Sequence, residues 1–147
     1  MKLITNKYAR SSYEIIDTYE AGLVLQGSEI KSLRSKSAQL NGAHIKYRNG
    51  ELFLEGMHVS TYKPSSTDNH HPERPRKLLL HKNQIHKIKE KLKTPGITMI
   101  PLNIFTKRNL IKAEIALARG KKKHDKRSDI KASDAKRRAE RAVKQFM

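Results

Sequence analysis

The 147-residue sequence contains no cysteine and no tryptophan, and aromatic side chains make up only 5% of it. Without cysteine, a disulfide framework and a cysteine-ligated zinc site are both excluded. No apolar run approaches the ~20 residues that a membrane-spanning helix needs, and the N-terminal stretch MKLITNKYARSSYEII lacks the apolar segment of a secretion signal. These absences predict a soluble, cytoplasmic protein without a metal or a cofactor.

Acidic residues are also scarce relative to basic ones. The chain has 32 lysines and arginines against 14 aspartates and glutamates, a formal net charge of +18. Such an excess indicates a polyanionic partner, because each phosphate that a cation neutralises releases condensed counterions. An acidic protein or membrane surface could use the same charge, so composition alone favours RNA or DNA without choosing between them.

One short stretch, AHIKYRNGELFLEG (43–56), predicts a β-hairpin. Asn49-Gly50 is the dipeptide preferred in two-residue type I′ turns, whose twist matches that of the flanking strands. This turn pairs Tyr47 with Leu52 and Ile45 with Leu54 on one face. It also places Arg48 opposite Glu51, where opposite charges attract.

The rest of the first 120 residues predicts a mainly β domain. Residues 13–18, 97–105 and 111–117 are typical of strands, with Pro101 indicating an edge or a bulge, and residues 62–77 predict a loop. Residues 83–93 predict a helix with a narrow apolar stripe of Ile85, Ile88 and Leu92, whereas Gly22 and Gly27 are interpreted as breaks. The order of elements favours a small closed or partly open barrel of the oligonucleotide-binding (OB) type with one or two short helices.

Residues 121–147 differ from the domain before them, which we place at residues 1–120. They hold 11 lysines and arginines against 4 acidic residues, and their apolar content is mostly alanine. Alanines bury too little area to offset the entropy of ordering a chain. We expect a basic tail that is disordered when free and helical when it docks on a partner.

The start of this tail, GKKKHDKR (120–127), has three interpretations: a catalytic pair, a solvated tail or a device that docks on RNA. Adjacent side chains such as His124 and Asp125 on a flexible segment cannot hold the geometry of a catalytic dyad. An imidazole can instead stack on an unpaired base while neighbouring cations hold phosphates.

Other enzyme and metal signatures are missing. His70-His71 lies in the predicted loop without a third ligand at a recognisable spacing, so we interpret it as a solvated loop. There is no glycine-rich phosphate loop and no Ser/His/Asp constellation. We therefore expect a binding protein and not an enzyme.

Four motifs in order resemble the small protein B family, the bacterial proteins that bind transfer-messenger RNA. They are NKYARSSYEI (6–15), YEAGLVLQGSEIKSLRS (19–35), RKLLLHKNQI (76–85) and LARGKKKHDKRSDIK (117–131). The resemblance implies an OB-type barrel that binds the tRNA-like domain of transfer-messenger RNA. It further implies delivery of that RNA to stalled ribosomes for trans-translation, with elongation factor Tu and alanyl-tRNA synthetase engaged indirectly through the RNA, and action as a monomer away from membranes.

The resemblance also implies which residues bind. Those expected on the RNA-binding face, together with cations inside the same motifs, are Asn6, Lys7, Arg10, Glu20, Lys31, Arg34, Lys77, Leu79 and His81. The tail is expected to enter the empty messenger channel and reach the decoding-centre rRNA through Gly120, Lys121, Lys122, His124, Asp125, Lys126 and Arg127. In that arrangement Gly120 gives the turn out of the barrel, and His124 stacks on a base.

The alternative function is that of a constitutive ribosomal or ribosome-assembly protein. A basic barrel with a tail that threads through rRNA fits the composition equally well. Such a protein would bind rRNA stably and would not need transfer-messenger RNA.

Overall fold

The computed structural model describes residues 1–61 and 70–121. Within them lie nine strands and three helices. The strands are β1 Lys2–Thr5, β2 Tyr13–Leu23, β3 Ala38–Gln39, β4 His44–Arg48, β5 Glu51–Glu55, β6 His58–Val59, β7 Arg76–Leu79, β8 Ile97–Lys107 and β9 Leu110–Gly120. The helices are α1 Ala9–Ser12, α2 Gly27–Arg34 and α3 Lys82–Leu92.

Six of the strands close into an antiparallel barrel. The sheet order is β1-β8-β4-β5-β7-β2-β9, and an additional pairing of β8 with β9 closes the circuit, with β1 added along β8. A separate small pair joins β3 to β6. The mainly β, OB-type barrel expected from the sequence is confirmed, with three helices where one or two were expected.

The predicted hairpin is present as β4 and β5. Asn49 and Gly50 both have positive φ, 49° and 83°, as a type I′ turn requires. The Cα register pairs Tyr47 with Leu52 and Arg48 with Glu51, as predicted. The Arg48 guanidinium, however, forms its ion pair with Glu55 further along β5.

The predicted amphipathic helix is α3, and its apolar stripe faces the barrel. Ile88 is fully buried in the main core, and Ile85 and Leu92 pack against that core while partly exposed. His81 and Gln84 form a capping box at its N-terminus, which fixes where the helix begins.

Strands β8 and β9 are buried on both faces over part of their length. Ile104, Ile115 and Leu117 belong to the main core. On the other face, Ile100, Leu102, Ala116 and Ala118 form a second cluster with Ala9 of α1. The pairing register shifts between Pro101 and Asn103, so the proline lies at a bulge and not at a sheet edge.

Gly22 and Gly27 do not break the chain as the sequence suggested. Gly22 lies inside β2, where its lack of a side chain lets Leu79 of β7 approach: a Cβ there would lie 3.2 Å from the Leu79 Cβ. Gly27 begins α2, which a capping box between Gln26 and Glu29 starts. The helix was missed because a glycine and two serines weaken its propensity, and packing of Leu33 in the core compensates.

The interpretation of the segment around residue 70 as a solvated loop is wrong for His70. Its ring is buried, with Nδ1 2.8 Å from the Ser28 hydroxyl oxygen and Nε2 2.8 Å from the Val59 carbonyl oxygen. Both ring nitrogens are thus used in holding this segment to α2 and β6. A pair of histidines in sequence gives no sign that one of them is internal.

Candidate nucleic-acid interface

Neighbouring strands align four polar side chains in one row across the outside of the barrel. Thr5 of β1 lies opposite Asn103 of β8, Asn103 opposite Glu114 of β9, and Glu114 opposite Glu20 of β2. Directly opposite residues of antiparallel strands point to the same face. This row therefore joins four strands that are far apart in sequence.

A second row runs beside it and carries cations and apolar side chains. Lys2 lies opposite Phe105, Phe105 opposite Lys112, Lys112 opposite Gly22, and Gly22 opposite Leu79. Phe105 is half-buried, and 52% of the Leu79 surface is exposed. We call the two rows together the outer polar face.

A groove of about 190 Å³ lies at the β1 end of this face. The first motif lines it with Asn6, Lys7 and Arg10, and the strands contribute Lys2, Asn103 and Glu114. Asn6 positions this wall, because its side-chain amide donates to the Pro101 carbonyl at 3.0 Å and its backbone N–H donates to the Leu102 carbonyl at 2.8 Å. We call this space the β1 groove.

A second groove, of about 300 Å³, lies at the β7 end. It is lined by Glu20, Gly22, Leu79, Leu80, His81, Gln84 and Lys112. The His81 ring stays accessible there even though the residue caps α3. We call this space the β7 groove; the outer polar face connects it to the β1 groove through Glu114 and Lys112.

Glu20 lines the β7 groove and is held by lysines. The Lys112 ammonium donates to its carboxylate at 2.8 Å, and the Lys107 ammonium lies 3.4 Å away. The hydrogen bond from Lys112, with the nearby charge of Lys107, holds the pKa of Glu20 below its ordinary value of 4.5. Glu20 is therefore ionised at neutral pH, and with 39% of its side chain exposed it can still accept hydrogen bonds.

The residues expected to bind RNA fall into two sets. Six of them line the two grooves: Asn6, Lys7, Arg10, Glu20, Leu79 and His81. Lys31 and Arg34 lie on α2 and line neither groove. Lys77, on β7, donates to Glu51 of β5 at 2.8 Å and also lies outside both grooves.

The residues expected in the ribosome-binding tail lie mostly beyond the described part of the chain. Lys122, His124, Asp125, Lys126 and Arg127 fall outside residues 1–61 and 70–121. Gly120 ends β9 opposite Tyr13, and the Lys121 backbone N–H donates to the Ser12 carbonyl at 3.1 Å. The chain is therefore paired with β2 and α1 as far as Lys121, and the turn out of the barrel expected at Gly120 stays a prediction.

Sequence reasoning missed Lys2, Asn103, Phe105, Lys112 and Glu114. Each looks like an ordinary outward residue of a strand, and only the pairing of β8 with β1 and β9 sets them beside the motif residues. The signal available in the sequence is the alternation in β9, where Lys112 and Glu114 alternate with the apolar Ile111, Ala113 and Ile115.

This arrangement supplies the elements that an unpaired or irregular RNA segment requires. Lysines and Arg10 can hold phosphates, Phe105 and Leu79 offer apolar contact to a base, and amide and carboxylate groups can bind base edges. Within residues 1–61 and 70–121 no cluster of three or more His, Asp or Glu side chains could hold a metal ion. No helix among these residues is both long and apolar enough to cross a bilayer.

Comparison with known proteins finds relatives that match nearly the whole chain. The family model described as SmpB protein matches residues 3–145. An SsrA-binding protein of Neorickettsia sennetsu is 52% identical over 143 residues, covering 96% of this chain and 97% of that protein. The SsrA-binding protein of Thermosipho melanesiensis is 49% identical over 146 residues, covering 98% of this chain and 99% of that one.

A solved structure is similar as well. Its description reads "tmRNA-SmpB: a journey to the center of the bacterial ribosome", and it aligns with a TM-score of 0.70 at 38% sequence identity. The alignment covers 88% of this chain and 95% of that chain. Sequence and fold thus point to one set of relatives over nearly the whole length.

Proposed function

This chain belongs to the SmpB protein family, and from that membership we propose that it binds transfer-messenger RNA and acts with it at the ribosome in trans-translation. The relatives are named for binding SsrA, which is this RNA, and the similar structure is of a tmRNA-SmpB pair at the ribosome. We further propose that the tRNA-like domain of the RNA is the part that is bound, and that the protein is cytoplasmic and catalyses no reaction.

The observation that carries this proposal is the meeting of distant motifs on one face. The residues that meet there are up to 75 positions apart in the sequence, the separation of residues 6 and 81. They are residues 6–10, Glu20 and residues 79–81. They nevertheless line two connected grooves. Structural roles alone would not require exposed Leu79, His81, Lys7 and Arg10 to gather there, whereas one RNA surface would.

The proposal assigns the remaining partners to different parts of the chain. The barrel holds the RNA, and elongation factor Tu and alanyl-tRNA synthetase meet this monomeric protein only through that RNA. Residues 121–147 enter the vacant messenger channel, where rRNA phosphates neutralise their net charge of +7, which is 11 basic less 4 acidic residues. Intact messenger would exclude the tail sterically, so only a stalled ribosome is selected.

Competition binding tests the barrel's share of this function. Labelled tRNA-like domain is titrated with the full chain at several salt concentrations, with and without excess elongator tRNA. We expect binding that survives the competitor at moderate salt, and we expect Glu20→Gln to weaken it about tenfold, as loss of a hydrogen bond to a charged group does.

The matched control is Glu90→Gln. Glu90 also accepts from a lysine, Lys93 at 3.1 Å, but it lies on α3 and lines neither groove. Equal binding of both RNAs that vanishes with salt would contradict the proposal. Stable binding to rRNA under the same conditions would instead favour the ribosomal-protein function.

Truncation tests the tail's share. A chain that ends at Gly120 should keep its affinity for the tRNA-like domain within about threefold and lose ribosome rescue in a reconstituted translation reaction. Phosphate contacts of the barrel are retained in that variant, which is why affinity should persist. A loss of affinity comparable to that of a barrel variant would contradict this division of labour.

A further inference from the structure

We propose that Asn103 and Glu114 form a recognition pair for one unpaired guanine of the bound RNA, seated in the β1 groove. The inference rests on the proposed function and adds to it the base that this groove selects. Neither residue lies in the motifs that carry the family resemblance. Both lie on strands whose pairing places them opposite each other on the outer polar face.

Asn103 supplies the first half of the argument. Only 4% of the residue is exposed, yet it lines the β1 groove. Among the described residues its side-chain amide has no hydrogen-bond partner. The amide atoms are nevertheless not fully buried, because the one fully buried side-chain polar atom without a partner in this part of the chain is the Ser32 hydroxyl oxygen. Neither amide atom of Asn103 is therefore fully enclosed, and in the groove that the residue lines this donor and acceptor can meet a ligand.

Glu114 supplies the second half. Its Cα partner across β9 and β2 is Glu20, and like charges directly opposite destabilise a sheet. Lys112 and Lys107 neutralise Glu20, whereas no cation within residues 1–61 and 70–121 forms an ion pair with Glu114. A carboxylate left without a partner in a chain of net charge +18 is suited to a ligand that brings hydrogen-bond donors.

Guanine is the base that presents the matching groups. A carboxylate only accepts, and its two oxygens fit two adjacent donors. The Watson–Crick edge of guanine offers N1–H beside the N2 amino group, while adenine, cytosine and uracil set an acceptor next to each donor on that edge. The guanine O6 lies beside N1 and can accept from the Asn103 amide.

The surroundings fit a splayed-out nucleotide. Lys7 and Arg10 line the same groove and can hold the flanking phosphates. Phe105 lies two residues after Asn103 on the same face and offers a surface on which the base can stack. An unpaired base is required, because guanine inside a duplex uses this edge for pairing.

A coupled substitution experiment on the full chain tests the inference. Each unpaired guanosine of the tRNA-like domain is replaced in turn by inosine, which lacks the N2 amino group, and affinities are measured for the natural protein, Glu114→Gln and the control Glu90→Gln. At one position inosine should weaken binding to the natural protein and to Glu90→Gln about tenfold. The same replacement should cost Glu114→Gln less than about twofold, because the carboxylate that the amino group contacts is gone.

The outcomes separate this inference from the proposed function. The assignment of Asn103 and Glu114 to a guanine is wrong if every inosine replacement costs the natural protein and Glu114→Gln the same affinity. It is also wrong if Glu114→Gln binds the natural RNA as tightly as the unmodified protein. In both cases the proposed RNA binding still stands. If the natural protein fails to prefer the tRNA-like domain over elongator tRNA, the proposed function fails first. Asn103→Ser, which removes the amide and keeps a small polar side chain, should weaken binding to the natural RNA. Of the inosine replacements, only the one at that same position should have a different effect on this variant than on the natural protein.

Discussion

Carboxylates in this basic chain have two roles according to their burial. The partly exposed Glu20 belongs to the outer polar face, whereas a buried carboxylate holds the fold together. Glu29 is fully buried and accepts from Arg74 and from Arg76, which is itself fully buried. The Arg76 guanidinium also donates to the Met57 carbonyl at 2.7 Å and to the Pro72 carbonyl at 3.0 Å. Two of the 32 basic residues are thus used to hold the fold together, and a charge count cannot reveal this.

Glu29→Gln should destabilise the protein by about 3–5 kcal/mol, the usual result of removing one partner of a buried ion pair. The variant leaves the Arg76 charge buried with carbonyl acceptors only. Urea unfolding at pH 7 measures the change, and Glu90→Gln, whose ion pair is exposed, should leave the unfolding midpoint nearly unchanged. A Glu29→Gln variant as stable as the natural chain would show that the cluster does not hold the fold.

The stabilisation by Glu29 should also depend on pH. Burial alone raises the pKa of its carboxyl, but hydrogen bonds from Arg74, the Gln26 backbone and Arg76 outweigh burial and bring the pKa below 4.5. The unfolded chain, with a glutamate pKa of about 4.3, binds the proton more readily. The contribution is therefore complete above that value and is lost as pH falls through the lower folded value.

Unfolding measured from pH 7 down to pH 3 checks this sign. The difference in stability between the natural chain and Glu29→Gln should shrink at the acidic end. A difference that grows toward low pH would contradict the account.

At the level of elements, the sequence predicts best where the determinants are local. The Asn49-Gly50 turn specifies its hairpin register without help from the rest of the chain, and the stripe of Ile85, Ile88 and Leu92 specifies α3. It predicts worst where tertiary packing decides. Helix α2 overcomes weak propensity through the burial of Leu33, and β2 runs through Gly22 because Leu79 packs closely against it.

Two glycines at element boundaries should respond oppositely to alanine. Gly56 ends the hairpin with φ of +81°, and a Cβ there would lie 3.2 Å from the Ala43 Cα and 3.3 Å from the Gly42 carbonyl oxygen. Gly56→Ala should cost about 1–2 kcal/mol or more, since a left-handed backbone disfavours a side chain. Gly27 has no positive φ and open space around its Cα, so Gly27→Ala should stabilise by about 0.4–1 kcal/mol.

Thermal unfolding of the two variants side by side measures both effects. Equal shifts in the same direction would contradict the explanation from backbone conformation.

At the scale of the whole molecule, barrel closure is what makes a site out of scattered motifs. The order of motifs in the sequence predicts the family and names six residues that line the grooves, but it does not state that they meet. Strand β9 joins them, because it pairs with β2 along one side and with β8 along the other. Asn103, Phe105 and Glu114 could not be found from sequence, since their place in the site follows only from that long-range register.

Photocrosslinking from two phenylalanine positions tests most directly whether the outer polar face carries the RNA. Phe105 and Phe53 are both half-buried on the outside of the barrel, but Phe53 lies on β5, two strands from the β8 strand of Phe105, and it lines neither groove. A photoreactive phenylalanine at either position would be irradiated in complex with the tRNA-like domain. The account predicts efficient RNA crosslinking from position 105 and little from position 53; crosslinking from 53 without 105 would contradict it.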